Sequence, residues 1–200
     1  MDKVSIKTYN KHVNTVNTYL IGAFMNDCTI RWRSIEGFSE AVDYVRSLEP
    51  SITISKDSIS ASPNICGEIG KLMQKPTRLL LLFNVNDWIE LIRGLYDFNG
   101  ELLDPEPSLD MPNLVLTIRV PSKTVGLVIR IVLKFLGINS NAFPGNDGKI
   151  YVVIHDRDSI ARFVKTIKPR TDPLLNIALR DKWVRHYENY GKPIIEFRHV

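Results

Sequence analysis

The chain has 200 residues, 44% hydrophobic and 24% charged, a balance that supports one large domain or two joined halves and excludes a disordered chain. Its longest apolar run, Leu79–Phe83, falls far short of the roughly 18 residues that a membrane-spanning helix needs. The net charge of +4 permits a polyanionic partner without requiring one, and it is unevenly spread: residues 1–85 carry +2, 86–156 carry −3 and 157–200 carry +5.

The segment Met1-Asp2-Lys3-Val4-Ser5 does not read as a charged-then-apolar leader, so a cytoplasmic location and no membrane partner are expected. Val13, Val16, Leu20 and Phe24 recur at helical spacing, predicting a first helix that runs into Leu20–Ile30. A strand follows at Thr29–Ser34, with Arg31 and Arg33 on one face and Ile30 and Trp32 on the other. After Gly37 comes a helix on Phe38, Val42, Val45 and Leu48, then a hairpin, Ile52–Ser55 and Ser58–Ala61, turning at Lys56-Asp57. A helix with Ile65, Ile69, Leu72 and Met73 stops at Lys75-Pro76, because proline lacks an N–H and clashes with the turn before it.

The order then repeats. Val85, Trp88, Ile89, Ile92 and Tyr96 predict a second amphipathic helix, with Asp87 and Glu90 spaced as a capping box at its start, and it runs into Ile92–Leu102. Strands open at Glu101 and run over Asn113–Val120; a helix follows Ser122, with Val125, Val128, Ile129, Val132, Leu133 and Leu136 on one face and Gly137 as left-handed cap. A hairpin between Ile138–Phe143 and Lys149–Ile154 turns at Gly145–Gly148, and a helix with Ile160, Phe163, Val164 and Ile167 stops at Lys168-Pro169. The first copy is shorter by about one strand and its loop. Beyond it, Asp172-Pro173 starts a further helix that Gly191 ends, with Leu175, Leu179, Trp183 and Tyr187 near one face.

Cys28 and Cys66 lie far apart and form no CxxC pair, which excludes a cysteine zinc site or a disulfide scaffold on this reading; two free, buried thiols are expected. His12, His155, His186 and His199 show no helical pairing for a histidine metal site. No phosphate-binding glycine loop, dinucleotide fingerprint or nucleophile elbow is present.

The two glycine-bearing segments, Leu20–Ile30 and Ile92–Leu102, each followed by the same order of elements, resemble the LAGLIDADG homing-endonuclease family in its single-chain, two-repeat form. The resemblance implies an α+β fold of two pseudo-symmetric αββαββα-like repeats whose mixed or antiparallel sheets form a saddle. The expected boundaries are 1–84 for the shortened first repeat, 85–170 for the second and 171–200 for a C-terminal helical extension. Gly22 and Gly94, third in each motif, would let the two motif helices approach closely. The eighth positions, which in the family hold a pair of Mg²⁺-binding catalytic acids, are Asp27 and Asn99, so the resemblance leaves Asp27 as the one expected metal ligand. Met25 and Cys28 also depart from the family pattern, whereas Asp97 and Gly100 keep it.

Asparagine is neutral and points an amide donor where an acceptor is wanted, so double-strand cleavage is expected to be impaired or lost. Asp27, close to a helix C-terminus, sits against the helix dipole and calls for a compensating cation or hydrogen-bond donor. Arg31, Arg33 and Arg119 are the candidate DNA-binding residues, while Asp104, Glu106 and Asp110 would repel phosphate. The implied partner is double-stranded DNA, bound by a monomer that is an internal pseudo-dimer. Three readings stay open: a DNA-binding protein without double-strand cleavage, an Mg²⁺-dependent endonuclease or nickase using Asp27, and an RNA-binding splicing cofactor or protein-interaction module.

Overall fold

Short polar caps decide where the helices begin. The computed structural model describes residues 16–35, 37–103 and 114–171. Val13, the loop acids Asp104, Glu106 and Asp110, three histidines (His12, His186 and His199) and the helix expected from Asp172 lie outside them. Helix α1 spans Thr18–Phe24 and starts at Asn17, whose side chain accepts the Tyr19 N–H; Val16 therefore precedes the helix instead of forming its first turn. Helix α2, Phe38–Leu48, follows Gly37, and α3, Pro63–Met73, is capped by Ser62 with proline in its first turn. A 3-10 turn at Pro76–Arg78 and a short α4, Leu79–Leu82, lead into α5, Val85–Asn99. The capping box of α5 lies three residues earlier than expected. Asn84 is the cap and Asp87 the reciprocating acid: the Asn84 side-chain Oδ1 accepts the backbone N–H groups of Asn86 and Asp87, and Asp87 accepts the Asn84 N–H. Helix α6, Lys123–Phe135, is capped by Ser122, and α7, Arg157–Ile167, by Asp156.

Two antiparallel sheets complete the α+β architecture. The first orders its strands β1–β3–β2, with β1 at Thr29–Arg31, β2 at Thr53–Ile54 and β3 at Ser58–Ser60. The second orders β4–β5–β7–β6, from Gly100–Leu103, Val115–Val120, Ile150–Ile154 and Asn141–Pro144. In the second sheet β5 stands between β4 and β7; in the first, β1 lies directly on β3, so the shorter half has three strands against four. Strand β1 ends at Arg31, not at Ser34, because only Thr29, Ile30 and Arg31 find partners along the three residues of β3. Alternation on β5 buries Leu116, Ile118 and Val120 and turns Val115, Thr117 and Arg119 outward. The core lies between these inner faces and the helices, centred on Tyr19, Phe24, Leu91, Ile92, Leu95 and Phe163.

The cysteines depart from expectation. Cys28, exposed after α1, is joined in a disulfide to Cys66 on α3, with Cα atoms 5.8 Å apart, so neither is a free buried thiol. Their separation of 38 residues hid a contact made when β1 pairs with β3 and brings the start of α3 alongside.

Candidate functional site

The site begins with two glycines. A Cβ on Gly22 would overlap the Leu91 carbonyl, and a Cβ on Gly94 would overlap the Tyr19 carbonyl, so α1 and α5 touch backbone to backbone. The contact is reciprocal: Tyr19 precedes Gly22 by the same three residues by which Leu91 precedes Gly94. Phe98 fixes the lower turn, stacking on Phe24 at 6.3 Å and meeting Phe38 edge-on at 5.4 Å. Both helices then release their chains into β1 and β4, and both eighth-position side chains reach one floor.

Arg119 completes that floor. Its guanidinium is ion-paired to Asp27 and donates a hydrogen bond to Asn99 Oδ1 at 3.1 Å. Asn99 in turn donates its Nδ2 to the Ala23 carbonyl at 3.2 Å, and Asn26 donates Nδ2 to the Arg119 carbonyl at 2.9 Å. The acid at the end of α1 thus has the cation that the helix dipole called for, and it comes from β5. Among the described residues no counterpart of Arg119 arises from the first sheet, which there has no strand equivalent to β5.

The floor does not fit Mg²⁺. A divalent ion there prefers several oxygen ligands, but the site offers one carboxylate, already paired with a guanidinium, and an amide whose N–H₂ is spent on a carbonyl. Among the described residues no three His, Cys, Asp or Glu side chains gather as a ligand set.

Of the candidate DNA contacts, Arg31 lies on the outward face of β1, opposite Ser58. Arg33 is beyond the strand and half-buried; burial pushes its guanidinium down and the nearby Glu101 pulls it back. Arg119 is committed to Asp27. The first sheet's outward face is otherwise rich in hydroxyls, with Thr29 and Ser60 hydrogen-bonded at 3.0 Å. On the second sheet Arg119, Tyr151 and Phe143 form one outward row. Tyr151 donates its hydroxyl to Asp147 at 2.8 Å, and burial followed by that acceptor raises its pKa.

Asp97 is not on the floor. It is fully buried beneath it, accepting the Tyr19 hydroxyl at 2.7 Å, the backbone N–H groups of Arg170 and Thr171 at 2.9 and 3.0 Å, and the Thr171 hydroxyl at 2.9 Å. Burial raises its pKa against the pull of those donors. Arg170 also stacks 3.4 Å from the Tyr44 ring centroid, so this node straps the segment after α7 onto α2. Sequence reasoning missed Arg119's attachment to the floor and, although it allowed Asp97 a role as an interface hydrogen-bonding group, did not find that group's partners. The unfavourable dipole position of Asp27 was a usable signal for the first; nothing local signalled the second. His155 is exposed at the end of β7, away from the floor residues described.

Two helices locked through glycines, delivering their ends beneath two antiparallel sheets, are the LAGLIDADG fold. No family model matches the chain, and no curated protein does. Solved structures do. The N-terminal LAGLIDADG domain of WhiA is 15% identical over 76% of this chain and 83% of its own, with a TM-score of 0.51. Full-length WhiA from Thermatoga maritima is 14% identical, covers 92% of this chain against 64% of its own, and has a TM-score of 0.52. A variant of the homing endonuclease I-DmoI, in complex with its nicked target DNA in the presence of Mn, is 19% identical over 76% of this chain and 93% of its own, with a TM-score of 0.50.

Proposed function

We propose that this chain is a DNA-binding protein on the LAGLIDADG fold in which double-strand cleavage is impaired or lost. The observation that carries the reading is Arg119, whose guanidinium engages both Asp27 and Asn99. Where a cutting site would use two acids to hold divalent cations, this floor supplies its own monovalent one. Asp27 is thereby held in an ion pair, and among the described residues no ligand set for a water-activating metal remains. The likeness in fold to a WhiA domain and to a DNA-bound homing endonuclease supports duplex DNA as the partner. The chain would bind as a monomer, its two halves standing in for two subunits.

Incubation with a randomised duplex library, followed by binding measurements at several salt concentrations, tests the DNA reading. Binding at low salt that weakens as salt rises is expected. Among the described residues Arg31, Arg33, Lys149 and the committed Arg119 stand near the outward faces, so a slope of log affinity against log salt of about −3 or steeper is expected. No duplex binding at low salt sinks the reading. For cleavage, supercoiled library plasmid with Mg²⁺ or Mn²⁺ should stay uncut; cutting that an Asp27→Ala variant abolishes would instead establish a residual nuclease or nickase.

A further inference from the structure

Helix α6 packs its buried stripe, Val125, Val128, Ile129, Val132 and Leu133, onto the second sheet, where Gly126 meets Val120, Ile150 and Ala142. Its opposite side is not polar. Leu127, Ile131 and Phe135 stand exposed by 52%, 48% and 77%. Their four-residue spacing puts them in one line on the helix, about 12 Å long. Scattered apolar residues on a surface are ordinary, but three large ones in register on a helix that already has a buried stripe are a second interface. Beside them lies a groove of about 660 Å³, bounded by α6 on one wall and by Asn139, Ser140, Asn141 and His155 on the other.

The charges choose the occupant. Arg130 and Lys134 line the groove; Arg130 crosses it to donate Nε to the Ser140 carbonyl at 3.1 Å. The groove's one carboxylate, Asp156, is occupied in capping α7 through the Ser159 N–H at 2.8 Å. A second copy of the chain on this face would bring Arg130 and Lys134 against their own equivalents. Residues 172–200, outside the described part, carry five Lys/Arg against four Asp/Glu and so bring no acidic excess to these two cations.

We propose that the outer face of α6 is a docking surface for an acidic amphipathic helix of a partner protein, with apolar residues on Leu127, Ile131 and Phe135 and carboxylates beside Arg130 and Lys134. The face lies on the side of the second sheet opposite the outward row of Arg119, Tyr151 and Phe143, so a partner here leaves that row open.

The test is selection from a displayed helical-peptide library with apolar residues fixed at i, i+4 and i+8 and all flanking positions randomised, panned on the full chain. Enriched peptides are expected to carry Asp and Glu flanks. They should bind Ile131→Glu at least tenfold more weakly and lose a comparable factor on Lys134→Glu, with thermal melts of both variants unchanged because both side chains are exposed. Binding to wild type should weaken with salt. Absence of enriched peptides, enrichment without acidic bias, or equal binding to the variants overturns the proposal. So does a dimer in sedimentation that Ile131→Glu dissociates, which would make a second copy the occupant. Duplex binding is measured on the same variants: its failure in wild type bears on the DNA reading alone.

Discussion

Arg119 and Asp27 form a half-exposed pair, so their direct worth to stability is modest, and replacing Arg119 by Ala is expected to cost about 1 kcal/mol through the uncompensated acid at the α1 terminus. Asp27→Ala/Arg119→Ala together should cost little more than either alone, a coupling readable from denaturant unfolding of the four proteins. Asp97 is the opposite case. Four donors converge on it in the core, and Asp97→Ala strands them, an expected loss of roughly 3 kcal/mol or more. Its raised pKa gives a pH signature. A carboxyl whose folded pKa exceeds its unfolded value of about 3.9 binds more protons in the native state, so its contribution to stability is complete below that value and declines as pH rises through the folded pKa. Unfolding midpoints of the wild type should therefore fall relative to Asp97→Asn as pH rises above about 4; parallel curves would refute the assignment.

At the scale of elements, the α1–α5 contact leaves no space for a side chain. Gly22→Ala or Gly94→Ala sets a Cβ into a carbonyl that belongs to a helix backbone and cannot swing away, and each is expected to destabilise the protein by about 3 kcal/mol or more in thermal or chemical unfolding. This contact was expected from the family resemblance, which puts Gly22 and Gly94 at the third motif positions where the two helices meet. The helices with apolar periodicity and proline stops were legible too, as were the two hairpins. Boundaries that depended on a rival cap were not: Asn84 outcompeted Asp87 because it stands where the backbone is still extended. The first strand's end was not legible either, since its length is set by the short partner β3 and not by its own residues. The floor was half readable. Asp27 and Asn99 followed from their motif places, and Arg119 could be placed on the outward face of β5, but only the folded chain shows that this face leans over the helix ends.

The whole molecule is tied at two further places besides the floor. The strap through Asp97, Arg170 and Tyr44 joins the end of the second half to the first, and the Cys28–Cys66 link joins the exit of α1 to α3. A thiol titration of the native protein should find neither cysteine, and reductant should expose both while lowering unfolding stability by about 2–4 kcal/mol, as expected for closing a loop of this length. Free thiols in the unreduced protein would refute the link.

The unequal strand counts carry a consequence for the target. Among the described residues three strands stand on one flank and four on the other, so under the proposed DNA-binding role the two arms would differ in reach, with the Arg119 guanidinium at the centre belonging to the longer one. A palindrome would be the wrong substrate for such a clamp. Hydroxyl-radical footprints should run further to one side of the midpoint than the other, and the same sequence inverted about its centre should be bound measurably less well.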